Sequence, residues 1–466
     1  MSPRPQHLLF IASPGRLFVL ALALAATAVA LCGCARPTTA SAAPAVAPVV
    51  LDYWEKWTGF EAEAMRALVD DFNASQSRIR VRYLPVSQIE RKLLLATAGG
   101  NPPDLAGIYA YLLPVYAENN ALTPLDSLAR RAGLHGADYL PFVWAACRHQ
   151  GFLWALPTTP AVTALHWNKK AFREAGLDPE RPPRTLAELE AFNDKLLVRD
   201  ADGRLLRLGH SPQEPGWWNA YWVACFGGAL WDPAAGFRAD GPEMQAAFRW
   251  AGSYPRRFGA HELQRLRNGF GSFASPQNPF FTGRVAMVMQ GPWMFNFIRD
   301  FAPADFEWGV APFPSAVPGS PGFAIAESDV LVIPAGARHP AEAFTFMAYV
   351  NRPENLERLC LAQKKLSPLR AVSADFYTKH SNPYIRDFAA IAASEGLVSF
   401  PPVTVWSEYQ DALNNAFDLM CLGDRDALDL LAPLQARLRE QELRKQARWE
   451  RVRATRLEEW KRHDQN

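Results

Sequence analysis

Long apolar runs are nearly absent from this 466-residue sequence. Beyond residues 17–31 nothing approaches the roughly 20 apolar residues that cross a bilayer core, so a channel or multispan carrier is excluded. A strong net charge is missing as well. The formal charge is +2, and residues 1–33 carry only Arg4 and Arg16, so the chain from residue 34 onward is neutral overall. That balance argues against nucleic acid as a partner. The neutrality is uneven, because residues 435–466 hold ten Lys/Arg against six Asp/Glu, leaving residues 34–434 at −4.

Cysteine is sparse. Of six, Cys32 and Cys34 close the first apolar run, and Cys147, Cys225, Cys360 and Cys421 stand far apart. No metal-ligand spacing results, no cofactor is expected, and the four distant thiols can be buried and free or joined in any of three pairings. The phosphate-binding loop, the dinucleotide glycine fingerprint, the His-Glu-x-x-His zinc pattern and the Gly-x-Ser-x-Gly elbow are all missing, and no two of the nine histidines sit at metal-ligand helical spacing. These absences point away from an enzyme. A glycosidase stays open as an alternative, since it needs only two carboxylates about 5–10 Å apart across a sugar bond.

What is present begins with a leader. Residues 17–31 form a short apolar core followed by Leu31-Cys32-Gly33-Cys34, which resembles a bacterial lipobox with Cys34 as the lipidated residue; a plain secretory signal cleaved later, for example after Ala40, is the alternative. Residues 1–33 are then a signal peptide and 34–48, rich in Pro, Thr, Ala and Ser, a flexible tether. Export with a lipid anchor on the extracytoplasmic side follows, at the periplasm or cell surface.

From Val49 onward, strand and helix patterns alternate. Residues 49–54 predict a strand; Ala62, Met65, Leu68, Val69 and Phe72 predict one face of a helix; residues 79–83 and 105–108 predict further strands, with a helix through Ile89, Leu93 and Ala96 between them. Strand patterns return at 284–289 and 330–333. The expectation is an α/β chain with mostly parallel sheets.

Several segments, in order, resemble the extracellular solute-binding proteins of sugar-type ABC importers, the family that includes maltose-binding and glycerol-phosphate-binding proteins. They are Trp54-Glu55-Lys56-Trp57-Thr58-Gly59 leading into residues 68–73, Ala96-Thr97-Ala98-Gly99-Gly100-Asn101-Pro102-Pro103-Asp104, Leu156-Pro157 with residues 165–169, residues 281–287 with Gly291-Pro292-Trp293, and residues 332–336 with 341–347. The resemblance spans about residues 49 to 440. It implies a two-lobe periplasmic-binding-protein type II fold with discontinuous lobes: 49–160 with 313–370, and 161–312 with 371–438; the sequence beyond, 439–466, reads separately as a charged helical tail. It further implies crossings near residues 158–164, 312–328 and 367–372, a hinge cleft that closes on ligand, and a monomer that delivers a sugar or oligosaccharide to the permease subunits of the importer. Glycerol phosphate or another polyol is the alternative ligand, although Ala110 stands close to where glycerol-phosphate binders carry an acidic residue.

Fifteen tryptophans supply candidates for stacking on the C–H face of a sugar, with polar side chains for its hydroxyls. The candidate ligand contacts are Glu55, Trp57, Asp104, Tyr109, Tyr111, Trp217, Trp218, Trp231, Trp293, Glu327, Ser328 and Trp406. Glu55 and Asp104 flank strand ends, alternation puts Tyr109 and Tyr111 on one face, and Trp217-Trp218 follows a turn signal. Glu327-Ser328-Asp329 stands where many relatives have a glycine-rich pair. Their alternatives are core packing for the aromatics and capping or surface pairing for the acids.

Leu430, Leu431, Leu434 and Leu438 predict a last packed helix. From Arg439 to Arg462 the pattern is helix-prone, charge-rich and thinly apolar, which predicts a solvated helix, with docking on a membrane surface or the permease as the sharper reading.

Overall fold

The computed structural model describes residues 47–272, 274–422 and 425–465. The signal segment, Cys34 and residues 35–46 of the tether lie outside them.

The opening strand Val49–Glu55 alternates buried and exposed side chains and pairs in parallel with Ile79–Pro85 and Leu105–Tyr109. The helix between the first two, Gly59–Ser75, buries Ala62, Met65, Leu68, Val69 and Phe72, the predicted stripe. Ala324–Val332 continues the sheet antiparallel to Leu105–Tyr109, and at its other end pairs in parallel with Leu397–Ser399. Leu156–Val162 joins antiparallel to Ala324–Val332. It pairs on one side only, an edge position of the kind that tolerates Pro157 and Pro160, and its register with Ala324–Val332 shifts between Ser328 and Val330.

A second sheet orders Trp308–Ala311, Ala164–Asn168, Val285–Gln290, Leu205–His210 and Val198–Arg199. Its pairings are antiparallel except that between Val285–Gln290 and Leu205–His210. The expected predominance of parallel pairing holds in the first sheet, where three of five pairings are parallel, and is corrected in the second, where three of four are antiparallel.

Each sheet has its own core, which makes two lobes. Leu51, Tyr53, Met65, Phe72, Leu105, Phe346 and Trp154 belong to one; Trp167, Phe172, Trp222, Phe248, Met287 and Phe417 belong to the other. Between them Val162, Ala164, Val310, Ala324, Ala326, Ile385 and Phe388 form a small cluster around the crossing strands. The chain crosses at Thr163 and again between Ala311 and Ala324. The third crossing falls later than residues 367–372. Leu369 is bridged to Tyr139 and Arg370 N donates to Asp138 O, both in the first lobe. Residues 385–392 then pass through the hinge cluster, and Phe400 packs against the second core.

The C-terminal helix is the largest departure. It runs Ala427–Gln465, about 58 Å at 1.5 Å per residue. Leu431, Leu434 and Leu438 enter the second lobe's core, whereas Trp449 and Trp460, 8% and 1% exposed, enter the first lobe's. The tail is thus packed across both lobes rather than solvated. Trp460 stands edge-on to Trp154 with ring centroids 4.6 Å apart, and its Nε1 donates to Asn120 Oδ1 at 3.4 Å.

Candidate functional site

The ends of the first and third strands, the two crossing strands and several loops and two helices of the second lobe, Met294–Phe301 and Trp406–Leu422, meet around a cavity of about 390 Å³. From the first lobe come Trp57, Phe60, Glu61, Tyr109, Tyr111 and Lys365; from the second, Trp217, Trp218, Trp293, Phe297, Phe400 and Gln410; Thr159, Ala161, Glu327 and Asp329 rise from the crossing strands.

Glycines shape two of these placements. A Cβ on Gly291 would lie 2.1 Å from the Trp293 ring, and one on Gly107 would lie 1.8 Å from Glu55 Oε2. Glycine at both positions lets an indole and a carboxylate lie against the backbone. Trp293 Nε1 then donates to Gln290 Oε1 at 3.1 Å, and Trp218 Nε1 to the Met289 carbonyl at 3.0 Å. Both indoles line the cavity with their N–H groups already satisfied.

The aromatic wall crosses the cleft. Tyr109 stacks on Tyr111 at 5.5 Å between centroids, and Tyr111 stacks on Phe400 of the other lobe at 4.9 Å. Phe60 meets Phe297 edge-on at 6.0 Å, and Asn296 Nδ2 donates to the Gln363 carbonyl at 3.1 Å. The lobes are in contact around the cavity.

Beneath the rings lies a buried ion network. Lys56 Nζ is 3.0 Å from Asp329 Oδ1 and 3.3 Å from Glu55 Oε1; Lys365 Nζ is 3.0 Å from Asp329 Oδ2 and 2.5 Å from Glu61 Oε1. Burial alone would raise Asp329, but Lys365 and Lys56 hold its carboxyl down at about 2. Burial would likewise discharge both lysines; Asp329, with Glu55 for one and Glu61 for the other, keeps them charged well above their ordinary range. Lys56 and Lys365 also lie over the Trp57 ring, at 4.7 and 5.3 Å from its centroid.

Of the residues expected from sequence, Trp57, Tyr109, Tyr111, Trp217, Trp218, Trp293 and Glu327 line this cavity. Five do not. Glu55 is fully buried behind it, accepting from Tyr53 Oη at 2.5 Å and from Lys56 N at 2.8 Å. Asp104 accepts from the backbone amides of Asp52, Arg338 and His339 at 3.0–3.2 Å, tying three segments together. Ser328 is 2% exposed and points away from its neighbours 327 and 329, as alternation along a strand requires. Trp406 is core, 1% exposed. Trp231 lines a separate cavity and donates to Glu442 Oε1 of the C-terminal helix at 3.2 Å.

Sequence reasoning missed Lys56, Phe60, Glu61, Asp329, Lys365 and Phe400. Asp329 had a signal, its two-residue spacing from Glu327. Lys365 and Phe400 had none, because each reaches the site from a distant part of the chain.

The model of the family described as bacterial extracellular solute-binding protein matches residues 60–357. The chain belongs to that family. Among its relatives, the sn-glycerol-3-phosphate-binding periplasmic protein of Pectobacterium atrosepticum is 24% identical over 386 residues, covering 78% of this chain and 82% of the relative. A solved structure of CpMnBP1 with mannobiose bound superposes with a TM-score of 0.75 at 25% identity, covering 83% of this chain and 99% of that one. The Mycobacterium tuberculosis UgpB complex with glycerophosphocholine superposes at 0.71 with 20% identity, covering 86% and 100%, which shows a shared fold. This solute-binding protein therefore has the two-lobe architecture of its relatives, which are described as binding proteins. Among its described residues no helix is long and apolar enough to cross a membrane, and no group of three or more His, Cys, Asp or Glu is placed to hold a metal.

Proposed function

We propose that this solute-binding protein captures a sugar or short oligosaccharide in the cavity between its lobes and delivers it to the permease of an ABC importer. The observation that carries the reading is the wall of rings contributed by both lobes, Trp57, Tyr109 and Tyr111 facing Trp217, Trp218 and Trp293. Flat rings match the C–H face of a pyranose, and the carboxyls between them match its hydroxyls. The lysines favour a sugar over glycerol phosphate, because Lys56 and Lys365 are already committed to Asp329, Glu55 and Glu61. A phosphate would compete with buried carboxylates for the same two charges.

Capture is reversible and leaves the sugar unchanged. Closure follows from differential affinity, since a ligand touching both lobes stabilises the arrangement in which they meet. Binding residues are Trp57, Tyr109, Tyr111, Trp217, Trp218, Trp293 and Glu327. The lobes comprise 49–163 with 324–372, and 164–311 with 400–438. Export and anchoring through Cys34 place the monomer on the outer side of the membrane, tethered by residues 34–48.

Thermal unfolding against mono- and oligosaccharides, polyol phosphates and amino acids tests this. A ligand at 100 times its Kd adds about 2.7 kcal/mol of stability. A rise in Tm with a saccharide recovered intact is the expected result; a rise only with polyol phosphates or amino acids would overturn the substrate class, and release of reducing ends would make the protein a glycosidase.

A further inference from the structure

The site holds more acid than its bases satisfy. Glu55, Glu61, Glu327 and Asp329 stand against Lys56 and Lys365. Lys56 is shared by Glu55 and Asp329, Lys365 by Asp329 and Glu61, and Glu55 has a further donor in Tyr53. Glu327 is left over. Among the described residues none donates a hydrogen bond to its carboxyl and none forms an ion pair with it, although it lines the cavity two residues before Asp329 on the same strand face.

Its surroundings are aromatic as well as acidic. The charged groups that act on it are Asp329, Lys56, Lys365 and Glu61, and it acts in turn on Tyr109, Tyr111 and Tyr221. Tyr109, Tyr111 and Phe400 form the continuous stack beside it, and the Tyr221 hydroxyl, fully buried, has no partner. Burial, reinforced by the charge on Asp329, pushes the Glu327 carboxyl up to about 8.

We infer that the saccharide captured here carries a protonated amine and that Glu327 receives it, which makes Glu327 the residue that selects an amino sugar over its neutral counterpart. This rests on the reading that the cavity captures a saccharide. A neutral hydroxyl leaves the Glu327 carboxyl protonated and makes with it only an uncharged hydrogen bond. An ammonium group offsets the surplus of acid, forms a charge-assisted hydrogen bond of about twice the strength of a neutral one, and is attracted by the adjacent ring faces. An N-acetylated sugar has no such charge, and a sugar phosphate adds a second anion beside an unpaired acid. Binding at pH 7 also moves a proton: the amine keeps its own, and the carboxyl releases one to solvent as it becomes the counter-ion.

Calorimetric titration at pH 7 in two buffers of different ionisation enthalpy decides the matter, with glucosamine disaccharides, their N-acetylated forms and neutral disaccharides of matching linkage as ligands. The expected result is at least tenfold tighter binding of the amine form, with a net release of protons on binding. Glu327→Gln abolishes both the preference and the proton release, bringing the amine form to the affinity of its neutral counterpart, and a single cooperative unfolding transition shows that the variant is folded. Neutral or N-acetylated disaccharides binding as tightly as the amine would overturn the inference and leave sugar capture standing. Failure of every saccharide, with binding of a non-sugar solute, would overturn the sugar reading and this inference together.

Discussion

Trp460 lies edge-on against Trp154, ring centroids 4.6 Å apart, so the last turns of the C-terminal helix complete the core of the first lobe. The same helix begins among Leu431, Leu434 and Leu438 of the second lobe. Removing residues 440–466 strips Trp449 and Trp460 from that core, and Trp460→Ala removes one of them at a cost of about 3–5 kcal/mol. A fall in Tm of several degrees for both variants is expected. An unchanged Tm would show that the helix leaves the first lobe in solution.

Asp329 is the common counter-ion of two buried lysines. Asp329→Asn leaves Lys56 and Lys365 under-compensated and destabilises the fold by about 3–5 kcal/mol, read as a lower urea midpoint. Ligand affinity falls as well, since Asp329 lines the cavity.

Trp217 separates binding from stability. It lines the cavity yet is 43% exposed, unlike Trp57 at 4%. Trp217→Ala weakens sugar binding by about 0.5–1.5 kcal/mol through lost stacking, with little change in Tm. Trp57→Ala lowers both. Equal affinities for wild type and Trp217→Ala would remove Trp217 from the site.

Stability of the ligand-free protein peaks near pH 6.5. Glu327, ordinarily near 4.5 and raised by burial and Asp329 to about 8, is protonated when folded and ionised when unfolded between those values. Unfolding then releases a proton, and stability falls as pH rises, by at most about 1.4 kcal/mol per pH unit. His166, His210 and His380, lowered by burial to about 4, have the opposite sign: their contribution is present above 6.5 and is lost as pH falls towards 4. In a pH series of melting curves, Glu327→Gln flattens the decline between pH 6.5 and 8 and steepens the rise between about 4.5 and 6.5, where the wild-type carboxyl opposes the histidines. A decline that persists in Glu327→Gln would assign it to another group.

Cys147, Cys225, Cys360 and Cys421 are all buried free thiols. A reducing agent therefore leaves Tm unchanged, and a thiol-reactive dye labels these four only after unfolding. Labelling without denaturant would show that one of the lobes opens locally.

The sequence by itself determined the elements whose signals are local. The buried stripe of Gly59–Ser75 and the opening strands follow from periodicity over a few residues, whereas Tyr111 reaches Tyr109 from a 3-10 turn, Ala110–Leu112, and not from the strand alternation expected of it. The order of family segments determined the two-lobe architecture. Two errors were also local: alternation along Ala324–Val332 places Asp329 with Glu327, whereas Ser328 had been expected at the ligand. Tertiary structure alone decided which acids and rings share a cavity. Asp104 is consumed by the amides of residues 52, 338 and 339, Trp406 is absorbed into a core, and Lys365 and Phe400 are carried in by segments far along the chain. Charge balance and burial depend on neighbours that only the folded topology assembles, and those two quantities distinguish Glu327, left without a partner, from Asp329, held between two lysines.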